Sequence, residues 1–334
     1  MIPPLHEQIV VITGASSGIG RATAHAFAKS GATVVIAARN EVALHDVAQA
    51  IMGAGGRAQV VATDVADWQQ VERLARETMN AFGRIDTWVN AAAGVVYATV
   101  EDTSIEEAER VLQVDLLGTI YGVKAALEQM KHQGRGTIIN IGSVASIRAL
   151  PYLSAYCAAK HGVKGFSESL RMELAREHPN IHVTLVLPSG VNTPFFNHAR
   201  SKLGVKPMPI PPAYSPELVA DAIVSAAERP RRDIYIGGPG FLLAVGERLS
   251  PALMDRVSLW GNALFRLQKS NEPDDGVDNL FQPMSETGRV HGDFPELTKP
   301  SMFTPVFELM PTWQRLSLAT FAAGVVAALA LRRR

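Results

Sequence analysis

The chain has 334 residues, 47% hydrophobic and 19% charged, which suits one large globular α/β domain carrying an extension. Its 32 basic and 32 acidic residues balance, so the charge gives no reason to expect nucleic acid as a partner. A single cysteine, Cys157, excludes an intramolecular disulfide and fits a reducing, cytoplasmic setting; no secretory signal is expected.

In chain order, short runs rich in Val and Ile at 9–12, 33–36, 59–62, 85–89, 137–141, 182–187 and 233–236 read as strands. Most are continuously apolar rather than alternating, as in strands buried on both faces of a parallel sheet. Helical stretches lie between them, at 21–30, 41–54, 68–81, 105–133, 154–177 and 216–228. This alternation predicts a doubly wound parallel sheet of Rossmann type, with helices on both faces. The proline-rich stretch 192–213 is too long for a simple connection and is expected to act as a lid.

Four segments follow from this reading. Residues 1–240 form the Rossmann-type domain, and 241–270 a helical amphipathic extension. Residues 271–312, rich in Pro, Gly and Asp, form a linker or an extended wrapping segment, and 313–334 an apolar C-terminal helix with an arginine tail.

The first strand runs into Thr13-Gly14-Ala15-Ser16-Ser17-Gly18-Ile19-Gly20, which opens the first helix. Gly14 can take positive φ for a tight turn, Gly18 clears space for a pyrophosphate, and Gly20 lets helix pack closely on strand. Free N–H groups at the helix start then face the phosphates. The second strand ends at Arg39, where an acidic residue would bind ribose hydroxyls and repel a 2′-phosphate. A guanidinium there favours NADP(H) over NAD(H). Asp64 and Val65, after the third strand, are placed to meet the adenine; Asp64 could equally cap the helix starting at Trp68.

Tyr156 and Lys160 stand at i and i+4 on one helical face. A phenol is a poor acid or base at neutral pH, and an adjacent ammonium lowers its pKa, which suits proton exchange with an alcohol or carbonyl oxygen. Ser143 follows the strand at 137–141 and can hydrogen-bond that oxygen. No metal is expected.

These motifs together resemble the short-chain dehydrogenase/reductase superfamily, in the branch with a Thr-Gly-x-x-x-Gly-x-Gly turn and a Tyr-x-x-x-Lys pair. The resemblance covers about residues 8–237 and includes Asn90 and the stretch Pro188–Pro194. It implies that Tyr156 is the acid/base, that Lys160 binds the nicotinamide ribose and tunes Tyr156, and that Ser143 orients substrate. It also puts Thr193 on the nicotinamide carboxamide and Asn90 near the cofactor. The implied activity is hydride transfer between NADP(H) and a secondary alcohol, ketone or aldehyde. The apolar lid residues Phe195, Phe196 and Met208 suggest a hydrophobic substrate, and a homo-oligomer is expected.

Three positions depart from the family pattern. Asn90-Ala91-Ala92-Ala93 replaces Asn-Asn-Ala-Gly, Ser189 replaces a glycine, and Asp115 stands where the family's tetrad asparagine would be. Asp115 is nearly isosteric with asparagine but cannot donate when ionised, and its charge bears on Lys160. A nucleotide-binding scaffold with impaired turnover is the reading that Asp115 alone favours.

The run 316–331 carries no charge and ends in Arg332-Arg333-Arg334. As a helix it spans about 24 Å, short of the ~30 Å hydrocarbon core. Trp313, Arg315 and the terminal arginines could lengthen it by snorkelling. Membrane contact through 316–331 and docking on protein both stand as expectations.

Overall fold

A computed structural model describes residues 2–284 and 288–309; the run 316–331 lies outside them. The chain folds as β1 (Ile9–Thr13), α1 (Gly18–Lys29), β2 (Thr33–Ala38), α2 (Glu41–Gly53), β3 (Arg57–Ala62), α3 (Trp68–Phe82), β4 (Thr87–Asn90) and the short β5 (Val96–Tyr97). There follow α4 (Ile105–Leu112), a π-helical turn (Gln113–Leu117), α5 (Gly118–Gln133), β6 (Gly136–Ile141), α6 (Ser154–Glu177) and β7 (Ile181–Pro188). The short β8 (Arg200–Ser201) and β9 (Val205–Pro207) precede α7 (Pro216–Glu228) and β10 (Asp233–Ile236). Three helices, α8 (Gly238–Leu249), α9 (Pro251–Leu259) and α10 (Ala263–Arg266), then lead to β11 (Lys269–Pro273).

Seven strands form one sheet in the order β10-β7-β6-β4-β1-β2-β3, parallel throughout. Strand order reverses between β1 and β4, and ligands of such sheets bind beyond the carboxyl ends of the strands at that point. Two apolar clusters cover the faces: Val10, Ile12, Phe27, Val34 and Ile36 on one, and Val11, Val35, Leu74, Trp88 and Ile138 on the other. Neighbouring residues of one strand thus belong to opposite layers. That is why these strands read as unbroken apolar runs.

Three local readings change. Helix 105–133 is interrupted by the π turn at 113–117. The stretch 241–268 is three helices, broken where Pro251 starts a new one after Ser250. Helix α3 is capped by Asp67, whose carboxylate accepts from the Gln69 and Gln70 amides at 2.9 and 3.4 Å. Asp67 has the position one residue before the helix, so the alternative role for Asp64 as that cap falls away.

The stretch 192–213, expected to act as a lid, is knitted to its surroundings. β8 pairs with β5 and β9 with β11. The helical extension is held by Arg148, just beyond β6, which bonds Glu247 on α8 at 3.0 Å and Asp255 on α9 at 2.5 Å. Among the described residues no helix is long and apolar enough to cross a membrane.

Candidate active site

The glycine turn is built from close approaches. Gly14 has φ +70°, and a Cβ there would sit 2.6 Å from the Ala92 nitrogen. A Cβ on Gly20 would collide with the Gly14 carbonyl oxygen. These two positions bring the start of α1 hard against the β1 and β4 ends, as their spacing predicts. Gly18 is the first residue of α1 and faces the Thr193 side chain; a Cβ there would meet it at 3.2 Å.

Gly14, Ser16, Ser17, Gly18, Ile19, Gly20, Arg39, Asp64, Val65, Ser143, Tyr156, Lys160, Pro188 and Thr193 all line one cleft of about 400 Å³. Fourteen sequence-selected residues therefore meet in one concavity at the carboxyl edge of the sheet. Asn90 and Asp115 do not line it. Asn90 is buried with its side chain between the Trp88 indole N–H at 2.8 Å, from which it accepts, and Asn140, to which it donates at 2.9 Å. Asn140 in turn donates to Ser167 on α6 at 3.0 Å. This chain of polar groups crosses the sheet interior and ties β4, β6 and α6 together.

Ser143 caps a short 3-10 turn at 144–146. Its hydroxyl accepts from the Ala145 amide at 3.1 Å, and its own amide donates to Ser146 Oγ at 3.1 Å. This fixes the serine at the strand end, where its hydroxyl is close enough to Tyr156 to pull the phenol's pKa down. Tyr156 lies in the first turn of α6, and Lys160 Nζ is 5.4 Å from its ring centroid. The Lys160 ammonium is buried; it donates to the Ile141 carbonyl at 3.1 Å and stands 3.3 Å from Asp115 Oδ2.

Asp115 sits in the π turn with no solvent exposure. Its Oδ1 accepts from the Gly94 amide at 2.7 Å. Its Oδ2 has the Lys160 ammonium as ion-pair partner but no well-directed hydrogen bond. Burial pushes the Asp115 carboxyl above the usual carboxylate range, while Lys160 and the Gly94 amide oppose that. We place it as ionised and paired, because an ammonium at 3.3 Å is its nearest charged neighbour. The Tyr156 phenol is pushed up by burial first and by the Asp115 charge second, and the Ser143 hydrogen bond pulls it down. The resting phenol is therefore protonated.

Beyond Tyr156 the cleft is apolar, walled by Val95, Leu153, Phe195, Phe196, Met208 and Leu243. Tyr156 and Phe195 rings lie 5.8 Å apart, and Phe195 meets Phe196 edge-on at 5.3 Å. Sequence reasoning missed Tyr97. This buried phenol lines the same chamber, and its pKa is raised by burial and by the proximity of Tyr156. A lone tyrosine in a two-residue strand carries no periodic signal.

At the other end, Arg39 does reach the cleft, and its guanidinium donates to the backbone carbonyls of Leu280 and Phe281 at 3.3 and 2.9 Å and to that of Asn279. Asp64 accepts from Arg110 at 2.7 Å. Ser189 places its hydroxyl on the Ile236 carbonyl at 2.7 Å, which explains how a side chain is accommodated there.

Comparison with known proteins agrees with this geometry. The family model described as short chain dehydrogenase matches residues 8–204. An uncharacterized oxidoreductase, YxnA, of Bacillus subtilis is 41% identical over 255 residues, covering 76% of this chain and 72% of its own. Dehydrogenase/reductase SDR family member 7B of Bos taurus is 33% identical over 266 residues, covering 76% and 81%. Among solved structures, an alcohol dehydrogenase of Thermococcus sibiricus complexed with 5-hydroxy-NADP superposes with a TM-score of 0.61 at 26% identity, covering 69% of this chain and 95% of that one. A short-chain dehydrogenase of Streptomyces avermitilis gives 0.64 at 26% identity, covering 76% and 96%. The chain is an oxidoreductase of the short-chain dehydrogenase family.

Proposed function

We propose that this oxidoreductase uses NADP(H) in preference to NAD(H) and moves hydride between the nicotinamide and a hydrophobic ketone or aldehyde, or the corresponding alcohol. The observation that carries the reading is the meeting of Ser143, Tyr156 and Lys160 where the glycine-lined cleft opens into an apolar chamber. The residues fit a dinucleotide: the turn at 14–20 lines the cleft, α1 begins at it, and Arg39 is the cation just after β2. When bound, the nicotinamide supplies or accepts the hydride.

The remaining work falls to the chain's own groups. Tyr156 holds the proton that a reduced carbonyl oxygen needs, and the raised pKa keeps it there. The Ser143 hydroxyl donates to the same oxygen and opposes the build-up of negative charge on it. Lys160 stabilises the phenolate left behind, and Asp115 holds Lys160 through an ion pair at 3.3 Å. A resting phenol that is protonated suits the reductive direction.

Gly18 and Thr193 would hold the middle and nicotinamide end of the cofactor. Asp64 and Val65 would lie along the adenine, and Asn90 would support the site through its buried hydrogen bonds. Two surfaces complete the proposal. Residues 316–331 contact either a membrane or a protein surface, and α8 and α9 expose the apolar side chains Leu242, Leu249, Leu253 and Val257. The protein acts as a homo-oligomer. Liposome flotation of the full chain and sedimentation velocity check these two points.

The enzymatic reading is tested by NADPH oxidation with a panel of apolar ketones and aldehydes. Turnover that disappears in Tyr156→Phe with NADPH binding kept is the expected result. NADPH binding with no oxidation across the panel supports the scaffold alternative, for which the buried Asp115 charge beside Lys160 is the one favouring feature.

A further inference from the structure

The described residues 278–284 and 288–294 run around the mouth of the dinucleotide cleft. The run starts on the lid, where Asp278 pairs with Arg200 at 2.8 Å and the Asn279 amide donates to the His198 carbonyl at 3.1 Å. Leu280 plugs into a buried cluster with Val96, Val111 and Ala159 and is 2% exposed. The chain then reaches the β2 end, where Arg39 donates to three successive carbonyls and Asn40 donates to the Met284 carbonyl at 2.7 Å. At Gly288 it presses on the phosphate turn: a Cβ there would collide with the Ser16 carbonyl oxygen, and Arg21 donates to the Gly288 carbonyl. The Gly18 amide donates to the Arg289 carbonyl at 2.9 Å. The path closes where the Gly292 amide meets the Asn192 carbonyl at 3.2 Å.

Two of these contacts bear on the cofactor. The first amide of α1 and the guanidinium after β2 are the anion donors of this fold. Here peptide carbonyl oxygens accept from both. We infer that this segment is an autoinhibitory strap: its carbonyls hold the donors that the pyrophosphate and 2′-phosphate need, so strap closure and dinucleotide binding compete. The inference rests on the NADP(H) reading above. A ligand whose competent state is only partly populated binds with affinity reduced by that fraction. Loosening the strap away from the donors therefore tightens NADPH binding.

Leu280→Ala and Asp278→Asn loosen it without touching Gly18 or Arg39. NADPH titration of the full chain, followed by nucleotide fluorescence, is expected to give a Kd lower by about ten-fold in Leu280→Ala, because a deleted buried leucine weakens closure strongly. Asp278→Asn should move in the same direction by a smaller factor. Hydrogen exchange of the wild-type chain provides a measurement independent of variant folding: saturating NADPH should speed exchange at the Asn279 and Gly292 amides while slowing it at Gly18. An unchanged or raised Kd in folded variants, or slower exchange in the strap on NADPH binding, overturns the inference and makes the segment a clamp instead. No binding of NADPH by wild type and both variants would overturn the cofactor reading itself, and the strap with it.

Discussion

Replacing Asp115 with asparagine removes one negative charge from beside the Lys160 ammonium and changes little else. The substituted amide keeps an oxygen for the Gly94 N–H, which donates at 2.7 Å, and Lys160 keeps the Ile141 carbonyl at 3.1 Å. The phenol loses a carboxylate that raised its pKa, the same charge that offset the field of the Lys160 ammonium 3.3 Å away. Asp115 Oδ2 is 3.3 Å from Lys160 Nζ, which is 5.4 Å from the Tyr156 ring centroid, so the carboxylate lies within about 9 Å of that ring. At that separation an effective dielectric of about 20 gives about 2 kcal/mol, a little over one pH unit. Solvent reaching the cleft reduces this, so we expect a fall of about one unit in the apparent pKa. Alcohol oxidation needs the phenolate. The acid limb of kcat/KM against pH, measured with NADP⁺ and an alcohol found by the panel, should therefore move to lower pH by that amount. Tyr97 and Cys157 also face this phenol. Both stay neutral there, so they do not add a limb of their own. An acid limb that stays in place, or moves up, would refute the placement of an ionised Asp115 beside Lys160.

Further outcomes follow from the same geometry. Tyr156→Phe should lower kcat by about 10²–10⁴, the range for loss of a positioned proton donor, with the NADPH Kd within a few-fold of wild type. Arg39→Ala should raise KM for NADPH by about ten-fold or more relative to KM for NADH, as expected for loss of a charge-assisted pair; equal effects on both cofactors would remove Arg39 as the selector. Gly20→Ala drives a methyl group into the Gly14 carbonyl. It should cost about 1–3 kcal/mol in urea denaturation and weaken nucleotide binding.

Much of the fold was legible because its strands are buried on both faces. Val10 and Val11 belong to opposite layers, so the sequence shows an unbroken apolar run at each strand. The helix from Ile105 read as continuous because a π turn inserts one residue without disturbing the surrounding pattern. That insertion aims Asp115 at Lys160. The glycine turn and the Tyr156–Lys160 pair were legible because each needs particular residue types at fixed spacing. The strap was not. It is held mostly by its own peptide carbonyls and by one buried side chain, Leu280. Backbone groups are the same in every sequence, so such a segment reads only as a stretch of Pro, Gly and Asp. Asn90 shows the opposite case: its type was noticed, but its partners Trp88 and Asn140 come from β4 and β6, a pairing that only the sheet register establishes.

The Arg148 link between the end of β6 and helices α8 and α9 separates two kinds of inheritance. Residues 8–204 match the family, and they carry the phosphate turn, Ser143, Tyr156 and Lys160. The far wall of the chamber, including Leu243, Leu264 and Gln268, comes from chain beyond that match. Substitution in α8–β11 can thus reshape that wall while Ser143, Tyr156 and Lys160 stay untouched. Grafting residues 238–273 from one relative onto another should transplant selectivity as a module, with Arg148 as the joint that has to be kept.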